Sequence, residues 1–293
     1  MTNLKAWILA ARPKTLTASL VPIVSTTGLV RGSGYLVDWT VVALALLASF
    51  CIQIGTNLVN DAMDFKKGAD DEKRVGPQRV TQQGIFTFKQ VMGGAALFFF
   101  LAACFGVPLV LKGGTPILII GLVSILMGYA YTSGPMPLAY HGLGDLFVIL
   151  FFGLVAVGGL FYLLTGVYAL PAFVLGLQIG FLSTVLIAIN NLRDMNTDKL
   201  VNKKTLAVRF GLTGARFWIG FLIFAPYLAG YYWVGQQRYW PYIVPVLAFP
   251  LGMLIAKKIF RTEPGAAYNK FLAQSAAYSL IFSILIAIGF QIS

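Results

Sequence analysis

Oxygen-bearing side chains gather at two places in this sequence, at steps of three or four residues. The seven that keep this spacing are Asn57, Asn60, Asp61, Asp64, Asn190, Asp194 and Asp198. Residues at such steps share one face of a helix. Each cluster is therefore expected to form a strip of oxygen ligands at the end of a helix.

These acids carry several energetic penalties unless a cation neutralises them. Like charges four residues apart on a helix repel by roughly 0.2–0.5 kcal/mol, and the C-terminal end of a helix disfavours negative charge. A carboxylate at the centre of a bilayer costs about 2.5–3.5 kcal/mol. Oxygen ligands without a nearby His or Cys favour Mg²⁺ over Zn²⁺. We therefore predict that Asn57, Asp61, Asp64, Asp194 and Asp198 bind Mg²⁺, and that the four aspartates are catalytic.

Basic and amide side chains lie within one or two turns, or one loop, of each cluster. Mg²⁺ usually completes its shell with phosphate oxygens of a substrate, and Arg can bind such oxygens through two parallel hydrogen bonds. The predicted diphosphate-binding residues are Asn60, Lys66, Arg74, Arg79, Asn190, Lys203 and Lys204. The basic residues also fit as membrane anchors, and the acidic run 70–72 also fits solvated loop charge, so both interpretations stay open.

Long apolar runs must position these clusters. Hydrophobic residues make up 58% of the 293-residue chain and charged residues 11%, and the mean hydropathy is +0.80. A soluble protein of this size cannot carry that balance, because polar residues must cover its surface. We predict an all-α membrane protein with nine transmembrane helices in a single domain, 1–293. The helices are expected near 15–31, 39–60, 88–111, 115–133, 145–165, 170–192, 212–234, 240–259 and 271–291.

The distribution of basic residues predicts the orientation of these helices. All but three of the 22 lysines and arginines fall on one side of them, the exceptions being Arg31, Lys112 and Arg238. Because positively charged loops stay in the cytoplasm, the N-terminus is expected inside and the C-terminus outside. The net charge of +12 is then a topology signal and an attraction to anionic lipid and substrate, and it does not indicate a nucleic-acid partner. The N-terminus lacks the features of a signal peptide, so the first helix is expected to be retained.

The two clusters also indicate an internal duplication. The interval from Asn57 to Asn190 equals the interval from Asp61 to Asp194, and a lysine pair follows each cluster. We therefore expect a repeat of four helices around a central cavity, with the site at the interface of the repeats.

The motifs Asn60-Asp-x-x-Asp64 and Asn190-Asn-x-x-Asp194-x-x-x-Asp198 resemble those of the UbiA superfamily of intramembrane aromatic prenyltransferases. The resemblance covers almost the whole chain and implies a Mg²⁺-dependent enzyme, with two ions bound to a polyprenyl diphosphate. Many superfamily members carry a further Asp where this chain has Gly68, and Asp70 is the candidate replacement.

Within the superfamily, the segments 11–15, 64–70, 74–82, 129–135, 142–145 and 204–209 resemble the members that act on 1,4-dihydroxy-2-naphthoate in bacterial menaquinone synthesis. The implied reaction replaces the carboxylate of this bicyclic acid with the prenyl group, releases CO₂ and diphosphate, and gives demethylmenaquinone. It implies an enzyme of the bacterial inner membrane whose active site faces the cytoplasm. Acceptors such as 4-hydroxybenzoate, homogentisate and haem stay open.

Several further residues are candidates for binding the substrates or stabilising an allylic cation. They are Arg12, Lys14, Tyr129, Tyr131 and Asp145. Tyrosine rings present π faces to cations, but Tyr129 and Tyr131 also fit as interfacial anchors, and Asp145 also fits as a helix N-terminal charge. The prenyl tail is expected in an apolar cavity between helices that opens sideways to lipid.

Two other functions remain possible on the sequence. A CDP-alcohol phosphotransferase is disfavoured, because its motif places Gly directly after an Asp. In this chain Asp61 is followed by Ala and Asp64 by Phe. An ion-coupled transporter would carry ionisable groups near mid-membrane, whereas these acids gather at the helix ends.

Overall fold

The computed structural model describes residues 3–68 and 75–293, and every regular element in those ranges is a helix. In chain order the helices are α1 (Asn3–Ala11), α2 (Thr17–Gly32), α3 (Trp39–Lys66), α4 (Phe88–Ala130), α5 (Gly144–Thr165), α6 (Leu170–Arg193), α7 (Met195–Leu200), α8 (Leu206–Gly235), α9 (Trp240–Arg261) and α10 (Tyr268–Gln291). Short 3₁₀ turns lie at Pro13–Thr15 and Leu138–His141.

Seven of these helices are long and apolar enough to cross a membrane: α3, α4, α5, α6, α8, α9 and α10. Helix α2 is shorter, at 16 residues. The structure therefore agrees with an all-helical membrane protein, and two of the nine predicted helices do not appear as separate long helices. One of them is α2, and the other is the second half of α4.

Helix α4 is two antiparallel arms joined at Gly114. Its 43 residues are interrupted there by a φ of 68° and a ψ of −155°, which is not helical. Glycine tolerates this positive φ because it has no Cβ. A Cβ on Gly128 would lie 3.4 Å from the ring of Phe99, and a Cβ on Gly55 would lie 2.7 Å from the same ring. The arms 88–113 and 115–130 therefore pack beside each other and beside α3.

Helices α5 and α6 approach closely at glycines. A Cβ on Gly153 would lie 2.4 Å from the carbonyl oxygen of Gly176, and one on Gly180 would lie 2.8 Å from the carbonyl oxygen of Ile149. Small residues let membrane helices pack backbone to backbone. On the α5 side this contact is a π-helical segment, Ile149–Val155, and such segments often occur near functional sites.

The largest apolar core joins α2, α6, α8 and α10. Buried polar groups inside it are paired: Gln178 on α6 donates to the carbonyl oxygen of Pro226 at 2.8 Å and accepts from the indole of Trp233 at 2.9 Å. Pairing removes the cost of burying an amide away from water. These bonds therefore hold α6 against α8, and the end of α6 carries the second acidic cluster.

Candidate active site

A cavity of about 820 Å³ runs between the helices, polar at one end and apolar along the rest. The ends of α3 and α6, the turn after α1 and helix α7 form the polar end. Apolar residues of α3, α4 and α5 line the remainder. Leu111 and Leu122 belong to this lining and are 82% and 62% exposed on the outer surface. The cavity therefore reaches the side of the molecule, as predicted for a prenyl tail.

All four predicted aspartates line the polar end of this cavity. Asp61, Asp64 and Asp198 are buried, and the side chain of Asp194 is 13% exposed. The carboxylate of Asp61 accepts hydrogen bonds from the backbone N–H groups of Val80 and Thr81 at 3.3 and 3.2 Å. The first cluster therefore holds the loop that follows it.

Asp64 connects three segments of the chain. Its carboxylate pairs with Arg79 at 3.3 Å and accepts a hydrogen bond from the hydroxyl of Tyr140 at 3.0 Å. The ammonium groups of Lys67 and Lys203 lie 4.3 and 5.6 Å from the centre of the Tyr140 ring. Burial, and then the charge of Asp64, raise the pKa of Tyr140, so this hydroxyl stays a hydrogen-bond donor at neutral pH.

In the second cluster, a buried arginine holds Asp194. The Nε and Nη2 atoms of Arg193 donate to the two carboxylate oxygens of Asp194 at 2.8 and 2.6 Å. Nη2 also donates to Asn190 Oδ1 at 2.8 Å, and Nη1 donates to Asn269 Oδ1 at 2.7 Å. Asn269 in turn donates to the carbonyl oxygen of Val75 at 3.2 Å. This chain of contacts ties the second cluster to the loop after the first.

Asp198 pairs with Lys203 at 3.3 Å through Oδ1, while its buried Oδ2 has no hydrogen-bond partner among the described residues. Burial raises the pKa of Asp198 to about 6, with Lys203 acting in the opposite direction. Burial lowers the pKa of Lys203, but the charges of Asp64, Asp198 and Asp194 outweigh it, and the net change is upward. Lys203 is therefore a cation placed between both acidic clusters.

The donor set fits Mg²⁺. Carboxylate and amide oxygens surround the polar end, and the unpaired Oδ2 of Asp198 is a buried acceptor available to a cation. Within the ranges 3–68 and 75–293, no three His, Cys, Asp or Glu side chains converge on one point. Mg²⁺ commonly takes only one or two carboxylates and completes its shell with water and phosphate oxygens, so this spacing suits ions shared with a diphosphate.

An aromatic wall begins beside the acids. Tyr131, Phe147 and Phe151 line the cavity. The rings of Tyr131 and Phe147 are 5.9 Å apart, and those of Phe147 and Phe151 are stacked at 4.2 Å. Their π faces supply negative potential without a nucleophile that could trap a cation.

Comparison with known proteins agrees with this geometry. Residues 20–283 match the UbiA prenyltransferase family. The chain belongs to this family.

Relatives in the UbiA family cover nearly all of the chain. The 1,4-dihydroxy-2-naphthoate octaprenyltransferase of Haemophilus influenzae is 33% identical over 99% of this chain and 97% of its own length. The enzyme of the same description from Escherichia coli is 32% identical over 100% and 97%. A UbiA homologue from Archaeoglobus fulgidus bound to GPP and Mg²⁺ has the same fold, with a TM-score of 0.70 at 15% identity, covering 98% of this chain and 100% of its own.

Most residues predicted for a UbiA-type site lie at this cavity. Beyond the aspartates, they are Arg12, Lys14, Asn57, Asn60, Arg79, Tyr131, Asn190 and Lys203. Asn60 accepts a hydrogen bond from the hydroxyl of Thr132 at 2.6 Å. Lys14 is exposed at the cavity mouth. Arg74 and Asp70 lie outside the described residues.

Four predicted residues do not line the cavity. Lys66 and Lys204 are exposed, and Lys66 lies 5.5 Å from the centre of the Phe88 ring. Tyr129 is 41% exposed on the outer surface, which suits an interfacial anchor. Asp145 is buried behind the cavity, where it accepts hydrogen bonds from Asn191 and Trp218 at 3.2 and 2.7 Å. Its contacts connect α5, α6 and α8.

Sequence reasoning missed Arg193, Tyr140 and Asn269. Arg193 stands beside Asp194 in the motif, so its position was a usable signal. Tyr140 and Asn269 come from distant segments, and nothing in the local sequence marks them.

Proposed function

We propose that this protein transfers a polyprenyl group from a polyprenyl diphosphate to 1,4-dihydroxy-2-naphthoate, with release of CO₂ and diphosphate, to give the demethylmenaquinone skeleton. The observation that carries the proposal is the convergence of both acidic clusters on one end of an otherwise apolar cavity. A diphosphate and its metal ions suit the polar end, and a long prenyl chain suits the rest.

Residues at the polar end of the cavity would bind the metal and the diphosphate. Mg²⁺, when bound, neutralises the diphosphate and makes it a better leaving group. Asp61, Asp64, Asp194 and Asp198 would hold it. Diphosphate-binding roles are assigned to Asn60, Arg79, Asn190 and Lys203, which lie at the same end. Arg74, Lys66 and Lys204 stay weaker candidates for that role.

The allylic carbon loses its bond to oxygen and becomes cationic beside the aromatic wall. The electron-rich naphthalene ring then forms the new carbon–carbon bond at the carbon that bears the carboxylate. The electron pair of the departing carboxylate restores the aromatic ring as CO₂ leaves. Tyr131, Phe147 and Phe151 exclude water and favour positive charge during this step.

The relatives named above support the naphthoate acceptor, since they match over almost the whole chain and act on that compound by description. The apolar part of the cavity supports a prenyl donor of many carbons, because each CH₂ kept out of water contributes about 0.8 kcal/mol.

We further propose nine membrane crossings, counting α2 and the two arms of α4, in the inner membrane of a bacterium. The N-terminus and the acidic clusters would face the cytoplasm. The bias of basic residues supports this orientation. A transporter is less well supported, since every described acidic residue lies at or near the end of a helix.

The decisive test offers the purified protein Mg²⁺, a labelled polyprenyl diphosphate and one acceptor at a time. Product from 1,4-dihydroxy-2-naphthoate with release of CO₂ is expected. Product from 4-hydroxybenzoate, homogentisate or haem alone would contradict the proposed acceptor. Full activity after chelation of Mg²⁺ would contradict the proposed metal dependence.

A further inference from the structure

Arg12 lies on a strained turn at the polar end of the cavity. Its φ of 52° and ψ of 68° fall in the left-handed region that residues with a Cβ rarely adopt. Such conformations persist only where surrounding contacts hold them, and they concentrate at functional sites. The surrounding structure must therefore contain groups that hold this turn.

Asn57 and Thr15 supply those contacts. The amide nitrogen of Asn57 donates to the carbonyl oxygen of Ala11 at 3.0 Å and to the hydroxyl of Thr15 at 2.9 Å. The Thr15 hydroxyl donates to the carbonyl oxygen of Arg12 at 2.9 Å. A carbonyl oxygen only accepts, so the nitrogen of Asn57 must face Ala11. Asn57 is 3% exposed, so water does not compete for these bonds.

The turn directs the guanidinium of Arg12 into the site. Arg12 lines the cavity, and its buried Nη2 has no hydrogen-bond partner among the described residues. The charged groups that act on it are Asp61, Asp64, Arg193 and Asp194. A fork of N–H donors that faces a cavity and keeps one donor unpaired suits an anionic oxygen group, either phosphate or carboxylate.

We propose that Asn57 and Thr15 are positioning residues that hold the left-handed turn at Arg12, so that Arg12 binds an anionic group of a substrate. This inference rests on the proposed function and replaces the metal-ligand role predicted for Asn57. A residue of the first acidic motif would thus act through Arg12 and not through Mg²⁺.

A double-mutant cycle tests this. Asn57→Ala should raise the KM of one anionic substrate about tenfold, and Arg12→Ala about a hundredfold, as expected for loss of charge-assisted hydrogen bonds. In the Arg12→Ala background, Asn57→Ala should have little further effect, because it acts only through Arg12. The Mg²⁺ concentration for half-maximal activity should stay unchanged in Asn57→Ala. Whether the KM of the diphosphate or of the acceptor rises identifies the anion.

Thr15, which accepts the hydrogen bond from Asn57, provides a matched set of variants. Thr15→Val removes the hydroxyl and should reproduce Asn57→Ala, whereas Thr15→Ser keeps it and should restore the KM. Thr17 makes the same type of bond, from its hydroxyl to the carbonyl oxygen of Lys14 at 2.9 Å, without contacting Asn57. Thr17→Val should therefore leave the KM of each anionic substrate and the Mg²⁺ concentration for half-maximal activity unchanged. Elution of each variant as one peak in detergent checks that it folds.

The opposite results would overturn the inference. A raised Mg²⁺ requirement in Asn57→Ala, with effects that multiply with those of Arg12→Ala, would make Asn57 a metal ligand. If the wild-type protein does not prenylate the naphthoate, the proposed function fails, and the same cycle on Mg²⁺-dependent binding of geranyl diphosphate still decides the role of Asn57.

Discussion

At the scale of residues, the proposed function assigns the metal-dependent step to the four aspartates. We expect Asp61→Asn or Asp194→Asn to lower prenyl transfer at least about a hundredfold, because a neutral amide cannot balance Mg²⁺ beside a diphosphate. Transfer of labelled prenyl groups in membranes measures the effect. Asp38→Asn is the matched control: Asp38 pairs with Lys112 at 2.6 Å on the exposed surface, far along α3 from the cluster. Full activity of either site variant would contradict the assigned role.

Acidic pH should weaken the use of Mg²⁺. Burial raises the pKa of Asp198 to about 6, so this carboxylate gains a proton as the pH falls through that value. A protonated carboxyl is a poor metal ligand, and metal and proton therefore compete. The Mg²⁺ concentration for half-maximal activity should rise below about pH 6. Rate measurements against pH at low and high Mg²⁺ should show an acid limb that moves to lower pH with more metal. An acid limb that stays at the same pH at both Mg²⁺ concentrations would exclude Asp198 as the metal ligand that titrates.

Residue types and spacing predicted which acidic residues line the cavity better than they predicted which basic residues do. The step of three or four residues places Asp61 and Asp64 on one helix face wherever the helix goes. Lys66 and Lys204 are equally near in sequence, yet they point to the surface, because long side chains at a helix end can reach solvent as easily as the site. Asp145 was recognisable as unusual, but its pairing with Trp218 depends on the tertiary fold.

At the scale of elements, the close contact between α5 and α6 depends on glycines, which have no side chain to separate the two backbones. Gly153→Ala would place a Cβ 2.4 Å from the carbonyl oxygen of Gly176, so the helices must move apart. Such overpacking costs about 1–3 kcal/mol, and the melting temperature in detergent should fall. Gly158→Ala on the same helix meets nothing within 4 Å and should leave the melting temperature unchanged or slightly higher, because Ala favours a helix more than Gly does. A fall for Gly158→Ala equal to that for Gly153→Ala would show that the contact does not decide stability, because replacing Gly with Ala raises helix propensity and cannot by itself lower the melting temperature.

Helix lengths were predicted well, and local backbone geometry was not. Apolar runs fix where a chain can cross a bilayer, and the break between the predicted helices 88–111 and 115–133 contains the turn at Gly114. The π-helical segment Ile149–Val155 and helix α7 were not predicted, since a π segment follows from packing on a neighbour and α7 is only six residues long.

At the scale of the whole molecule, the cavity has a polar end and an apolar part. Charged and amide groups occupy one end, while apolar residues of α3, α4 and α5 continue to the outer surface. Under the proposed function, a lipid-soluble chain would stay among apolar groups while its diphosphate reaches the two acidic clusters. The sequence predicts this division, because the acids lie near the ends of long apolar helices. The side on which the cavity opens can be seen only in the folded chain.

The distribution of charge predicts the side of the membrane that holds the active site. With the two cysteines of the chain, Cys51 and Cys104, replaced by serine, Ser293→Cys should react with a membrane-impermeant thiol reagent in intact cells. Lys5→Cys, on the exposed side of α1, should react only after the membrane is opened. Nineteen basic residues would otherwise have to cross the membrane, which positive-inside insertion disfavours. The cysteine-free parent controls for background labelling. Labelling of Lys5→Cys in intact cells would reverse the orientation and place the diphosphate site away from cytoplasmic substrates.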